Sequence, residues 1–302
     1  MSRVVDAHQH VWDRSRSAYQ WITPDLGELD RDILPDEARR ALADAGVDAA
    51  VLVQADDSMD DTRYLLEVAR AHDWVAGVVG WVPLDDEGAA RAALDELAEE
   101  PLLRGIRHLV HDDPRDDFLE LPAVRASLGA VADAGLAFDV PDAWPRHLAG
   151  ARRVAEALPA LTVVIDHLGK PPAGIDALGA WESELRAVAA LPNTVAKFSG
   201  LHRPGAPFDA ATLRPLLHAA LEAFGADRLM YGGDWPMSLP HGGYGPTWAL
   251  MRGLIDELTA AERAAILAGS AERVYGLTGI RSVRGSRTEH APTTRIERCP
   301  TG

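Results

Sequence analysis

Short runs dense in valine, isoleucine and leucine recur along the chain, and between them lie longer stretches whose apolar residues return every three or four positions. The runs are RVVDAH (3–8), DAAVLVQ (48–54), VAGVVGWV (75–82), LRGIRHLV (103–110), GLAFDV (135–140), LTVVIDH (161–167), TVAKFSG (194–200) and DRLMYGG (227–233). Most have no polar face, as expected of strands covered on both sides in a parallel sheet. The intervening stretches predict helices. Residues 34–46 open on Pro35 with acids beside it and stop at Gly46, and 60–73, 89–100 and 145–158 repeat the three-and-four spacing. Eight strand-then-helix units predict an α/β fold, a (β/α)8 TIM-type barrel. An open doubly wound sheet is the competitor, but no glycine-rich phosphate turn follows any strand. Residues 12–32 lack a period and read as a long loop over the barrel mouth after the first strand. A single domain is expected over 1–279, followed by a disordered polar tail over 280–302.

Composition narrows the partners. A net charge of −16 argues against nucleic acid and against anionic membrane surfaces. The single cysteine, Cys299, excludes an internal disulfide framework. No secretory opening and no run of about 18 apolar residues is present. A protein of the reducing cytoplasm is therefore expected.

In a barrel, side chains at the carboxyl ends of the strands face the mouth, where such enzymes keep their sites. Those ends carry His8 and His10, Gln54, Trp81, Arg107 with His108 and His111, Asp139, Asp166 with His167, Lys197 with Ser199, and Asp234 with Trp235. Polar groups thus gather at one end of almost every strand, which predicts an enzyme. Asp6, His8 and His10 stand two apart, share a strand face and are expected to converge. Such a histidine pair can grip a divalent ion or hydrogen-bond one oxygen twice. Lys197 suits either an ion pair with a neighbouring strand's acid or a substrate contact. His202 suits a lid loop, whereas His72, His147, His218 and His290 fall on helices or the tail and carry no assigned role.

The ordered set DAHQHVWD, VLVQA, GVVGWVPL, GIRHLV, VIDHLGKP, KFSGL and MYGGDWPMS resembles the amidohydrolase-related (amidohydrolase 2) lactonase family, which includes L-fuconolactonase, L-rhamnonolactonase and 2-pyrone-4,6-dicarboxylate lactonase. The similarity runs over about residues 3–277. It implies an amidohydrolase-like distorted barrel that hydrolyses a lactone, with His8, His10, His167 and Asp234 at the family's catalytic positions. The RHLVHDD and FDVPD segments offer no bridging ligand, so a binuclear centre is not expected. The resemblance leaves two states open: a site that requires no cofactor, which leads, or one zinc held by His8, His10 and Asp234, with Asp139 as a stand-in ligand from strand 5.

Lactone hydrolysis needs a base for water, a partner for the carbonyl oxygen and a proton for the leaving oxygen. Asp234 is the expected base, and His8, His10 and His167 the groups that polarise the carbonyl. Gln54, Arg107, His108, Lys197, Trp235 and Tyr19 are the expected substrate contacts, with Trp21 of the same loop beside them. A dicarboxylate lactone would need converging arginines. Only Arg107 is well placed, with Arg14, Arg16 and Arg203 on loops, so a neutral aldonolactone of the L-fuconolactone kind ranks first. The rivals are a dicarboxylate lactone hydrolase, a metal-dependent decarboxylase of the same superfamily, and a binder without catalysis. The expected partner is a small-molecule lactone, with no nucleic acid and no membrane; a homo-oligomer is left open.

Overall fold

Eight parallel strands pair strictly in chain order in the computed structural model, which describes residues 3–277: β1 (Val5–Gln9), β2 (Ala49–Val53), β3 (Val75–Gly80), β4 (Leu103–Arg107), β5 (Ala137–Val140), β6 (Val163–Ile165), β7 (Thr194–Phe198) and β8 (Leu229–Tyr231). The ring is drawn together where β8 meets β1, by Asp234 N–H donating to the His8 carbonyl at 2.9 Å and His10 N–H to the Trp235 carbonyl at 2.8 Å. The result is the (β/α)8 barrel that the alternating pattern predicts. The expected tail, 280–302, lies outside the described residues.

The doubly apolar strands are explained by two cores. One side-chain set, including Val5, Ala7, Val51, Val53, Val79, Val164, Val195 and Met230, fills the barrel interior. The alternate set, including Leu52, Val78, Ile106, Phe138 and Ile165, packs under the helices. Those helices include α1 (Pro35–Ala45), closed by Gly46 at φ 69°, and α2 (Met59–Ala71), whose N-cap Ser58 accepts from Asp61 N–H. None of the helices among the described residues is long and apolar enough to cross a membrane.

Toward the carboxyl ends, the interior changes from apolar to polar: Val195 is followed by Lys197 and Ala137 by Asp139, each two residues on and on the same face. β1 breaks its own alternation. Its register shifts between Asp6 and Gln9, so Val5 and Ala7 line the interior, yet His8 rather than Gln9 reaches the inward-facing Lys197. The long loop after β1 is pinned across the mouth: Trp12 and Ile33 exchange backbone hydrogen bonds of 2.9 Å, and Trp21 Nε1 donates to the Ala55 carbonyl at 2.6 Å.

Candidate active site

Four polar side chains meet at the mouth end of the barrel. His8 and His10 leave β1 with their Nε2 atoms 3.1 Å apart. Asp234 follows β8 at φ 51°, and its Oδ1 lies 3.6 Å from His10 Nε2, 3.7 Å from His8 Nε2 and 4.0 Å from His167 Nε2. These separations exceed direct hydrogen bonds and suit groups that meet through one shared atom. His167 opens a run of four left-handed residues, with φ of 56°, 53°, 71° and 61° through Lys170. Three of the four are not glycine, and each such residue costs about 1–3 kcal/mol. The run is held by Trp181 Nε1 on the Leu168 carbonyl and by Trp144 N–H on the Gly169 carbonyl, each at 2.8 Å. Two glycines make the room. A Cβ at Gly200, where φ is +57°, would lie 2.2 Å from His167 Nδ1, and one at Gly232 would lie 2.7 Å from His8 Cβ.

Hydrogen-bond partners fix what each ring can do. His10 Nδ1 faces the Val53 carbonyl at 2.8 Å and must donate, so the neutral ring keeps its lone pair on Nε2. His8 Nε2–H can donate to that lone pair while its Nδ1 accepts from Lys197 Nζ at 3.2 Å. In the other tautomer, His8 Nδ1–H points at Asp166 Oδ1, 3.3 Å away, and Nε2 is bare. His167 Nδ1 lies 2.9 Å from Ser199 Oγ, whose hydroxyl can donate there and leave Nε2–H pointing outward. Burial holds all three imidazoles below the ordinary histidine range and therefore neutral near pH 7. Burial pushes Asp234 upward, yet beside His167, His10 and His8 its net displacement is to below the ordinary carboxylate range.

Beneath the cluster lies a closed ion network. Lys197 is fully buried, with Nζ 2.6 Å from Asp139 Oδ2 and 3.0 Å from Asp166 Oδ1. Burial opposes the charge on Asp166, but Lys197 and His8 hold it well below the carboxylate range. Burial pushes Asp139 up to about 6, against the pull of Lys197.

Above the cluster opens a cavity of about 500 Å³. His10, His167, Asp234 and Arg107 line it, with His8 immediately beneath, and so does Trp21. Several expected contacts lie elsewhere. Lys197 points into the barrel core and is spent on the two aspartates. Tyr19 is buried beneath its loop, donating to Asp61. Trp235 faces a separate recess beside Tyr244 and Trp248. Gln54 is fully buried, its side-chain amide donating to Asp57 at 3.0 Å while its backbone carbonyl accepts from the Arg107 guanidinium. His108 turns from the cavity to stack on Phe118 at 4.1 Å, accepting from Trp81 Nε1 at 3.1 Å. Asp6 does not converge with the histidines: beyond the β1 irregularity it accepts from Gly233 N–H and Tyr244 OH, both at 2.8 Å. Asp139 is bonded to Lys197 and Tyr275 and does not line the cavity. The cavity is completed instead by loop residues, chiefly Trp12, His111, Asp142, Lys170, His202 and His241.

One atom each from His8, His167 and Asp234 lies within 4.8 Å of the others, so His167 joins His8, His10 and Asp234 among the donors that could hold an ion. Two imidazoles and a carboxylate form a fitting donor set for one zinc with an open position. The second tautomer of His8, with Nδ1–H on Asp166, gives the carboxylate-backed form usual for a metal-ligating histidine.

A family model described as Amidohydrolase matches residues 5–277. The chain is 36% identical over 292 residues to an L-fucono-1,5-lactonase of Burkholderia ambifaria, covering 95% of this chain and 98% of that protein. It is 34% identical to an L-fucono-1,5-lactonase of Burkholderia multivorans, with 90% and 96% covered. An amidohydrolase of Burkholderia multivorans crystallised with bound zinc superposes with a TM-score of 0.80 at 33% identity, over 91% of this chain and all of that one.

Proposed function

We propose that this chain, which belongs to the amidohydrolase family, hydrolyses a neutral sugar-acid lactone of the L-fucono-1,5-lactone kind. The observation that carries the reading is a carboxylate, Asp234, facing three imidazoles at 3.6–4.0 Å on the floor of a cavity. Asp234 holds the attacking water and takes its proton as the oxygen closes on the lactone carbonyl. His167 Nε2–H donates to the carbonyl oxygen as it becomes negative, in the tautomer whose Nδ1 accepts from the Ser199 hydroxyl. His8 and His10, bonded to each other, form the polar wall beside Asp234. Protonated Asp234 then returns its proton to the ring oxygen that leaves. A carboxylate held below its ordinary range is a weaker base, so the gain comes from fixed position. Should a divalent ion bind at His8, His167 and Asp234, it would supply Lewis acidity and lower the water's pKa.

The charge of the cavity favours a neutral substrate. Asp112, Asp142 and Asp234 line it against Arg107 and Lys170. Arg107 is already committed to the Gln54 carbonyl and, at 3.5 Å, to Asp166. Arg203, bonded to the Pro172 carbonyl, is not among the lining residues, so the converging arginines of a dicarboxylate site are missing from the described residues. A pH-indicator assay against aldono-1,4- and 1,5-lactones and one dicarboxylate lactone, with and without chelator, tests the assignment. Turnover of a neutral sugar lactone is expected. Preference for the dicarboxylate, or no turnover with or without added zinc, would overturn it.

A further inference from the structure

We infer that Asp142 and Lys170, on the loops after β5 and β6, are the pair that selects a hydroxylated lactone, by binding one ring hydroxyl between them. This rests on the lactone-hydrolase reading and adds how that site chooses its substrate. Both residues line the cavity, and neither has a part in the bond-breaking steps. Asp142 Oδ2 lies 3.7 Å from Lys170 Nζ. That is too long for a charge-assisted hydrogen bond, which closes to about 2.7–2.9 Å. One hydroxyl oxygen set about 2.8 Å from each group would bridge them, donating to the carboxylate and accepting from the ammonium.

The pair has further capacity. Lys170 Nζ spends one N–H on the Gly200 carbonyl at 3.0 Å and keeps two. Asp142 Oδ1 is buried with no hydrogen-bond partner, as is Nδ1 of His111 on the same cavity lining. Buried polar atoms are rarely left so. Both positions are built at a conformational cost, with φ of 44° at Asp142 and 61° at Lys170. Their loops are tied by the Trp144 to Gly169 hydrogen bond, and Lys170 N–H donates to the His167 carbonyl at 2.8 Å. Whatever Lys170 holds is thereby referenced to the residue assigned to the carbonyl oxygen. β5 and β6 stand across the barrel from β1 and β2, where Trp12 and Trp21 line the cavity. The cavity therefore reads hydroxyls on one side and apolar ring surface on the other.

The test is a ratio. kcat/KM is measured for L-fucono-1,5-lactone and for unsubstituted δ-valerolactone, which has the same ring size, in the wild type, Asp142→Asn and Lys170→Met. The preference for the hydroxylated lactone is expected to fall about 10- to 100-fold in each variant, chiefly through KM. The double variant should lose much less than the product, because one hydroxyl is shared. A preference within about threefold of wild type, whether the two rates fall together or stay put, would overturn the assignment and leave a structural ion pair. Thermal melting of both variants separates misfolding from lost recognition. Wild-type turnover with an unaltered preference removes only this inference; no wild-type turnover of either lactone removes the hydrolase reading and this inference with it.

Discussion

Replacing Lys197 by methionine probes the foundation on which His8 stands. The lysine is fully buried, and its ammonium faces Asp139 at 2.6 Å, Asp166 at 3.0 Å and His8 Nδ1 at 3.2 Å. Removing one partner of a buried pair costs about 3–5 kcal/mol, because the remaining charge stays desolvated. Asp139, already raised to about 6 by burial, can relieve part of that by taking up a proton, and Asp166 keeps Arg107 at 3.5 Å. A loss near the lower figure, about 3 kcal/mol, is expected, and at about 2–4 °C per kcal/mol for a chain of this size melting should fall by about 6–12 °C at pH 8. The sign with pH follows from linkage. Carboxyls whose folded pKa rises above the unfolded value favour the folded state when protonated, so that stability is present at low pH and is lost as pH rises through the folded pKa. The deficit of Lys197→Met relative to wild type should therefore shrink between pH 8 and pH 5.5. Adding Asp139→Asn, which removes one orphaned charge, should recover part of it. Thermal melts followed by circular dichroism are sufficient. A variant melting within about 2 °C of wild type at pH 8, or a deficit unchanged at pH 5.5, would refute the reasoning.

Gly200→Ala should depress kcat about 100-fold, because the added methyl would fall 2.2 Å from His167 Nδ1 and displace the ring; wild-type turnover would show that His167 needs no such placement. Zinc at about 100 times its dissociation constant should stabilise the protein by about 2.7 kcal/mol, visible as raised melting. His167→Ala should abolish that rise, since His8, His167 and Asp234 converge; an undiminished rise would remove His167 from the ion site.

The barrel was legible because its signal is periodic. Val51, Val53, Leu52 and Val78 are apolar on both faces since one set fills the barrel and the other meets the helices. His8, His10, His167 and Asp234 were legible because each ends a strand, and strand ends share one side of the fold. Orientation was harder to read. The shifted register in β1 diverts Asp6 and turns His8 inward, and no residue type in VVDAHQH announces it. Lys197 is on β7 where a residue of either role would be, and only the distances to Asp139 and Asp166 assign it inward. Asp142, Lys170 and His241 lie on loops, where no spacing predicts direction. The one local hint is the glycine of HLGK, beside a lysine that the left-handed turn carries onto the cavity wall.

Asp234→Asn tests the central claim most directly, since it keeps the shape of the side chain and removes only the base. With L-fucono-1,5-lactone as substrate, kcat is expected to fall about 10³-fold, within the range of a lost general base, while the melting temperature stays within a few degrees of wild type. Turnover within tenfold of wild type by the correctly folded variant would contradict the assignment of Asp234 as the residue that activates water.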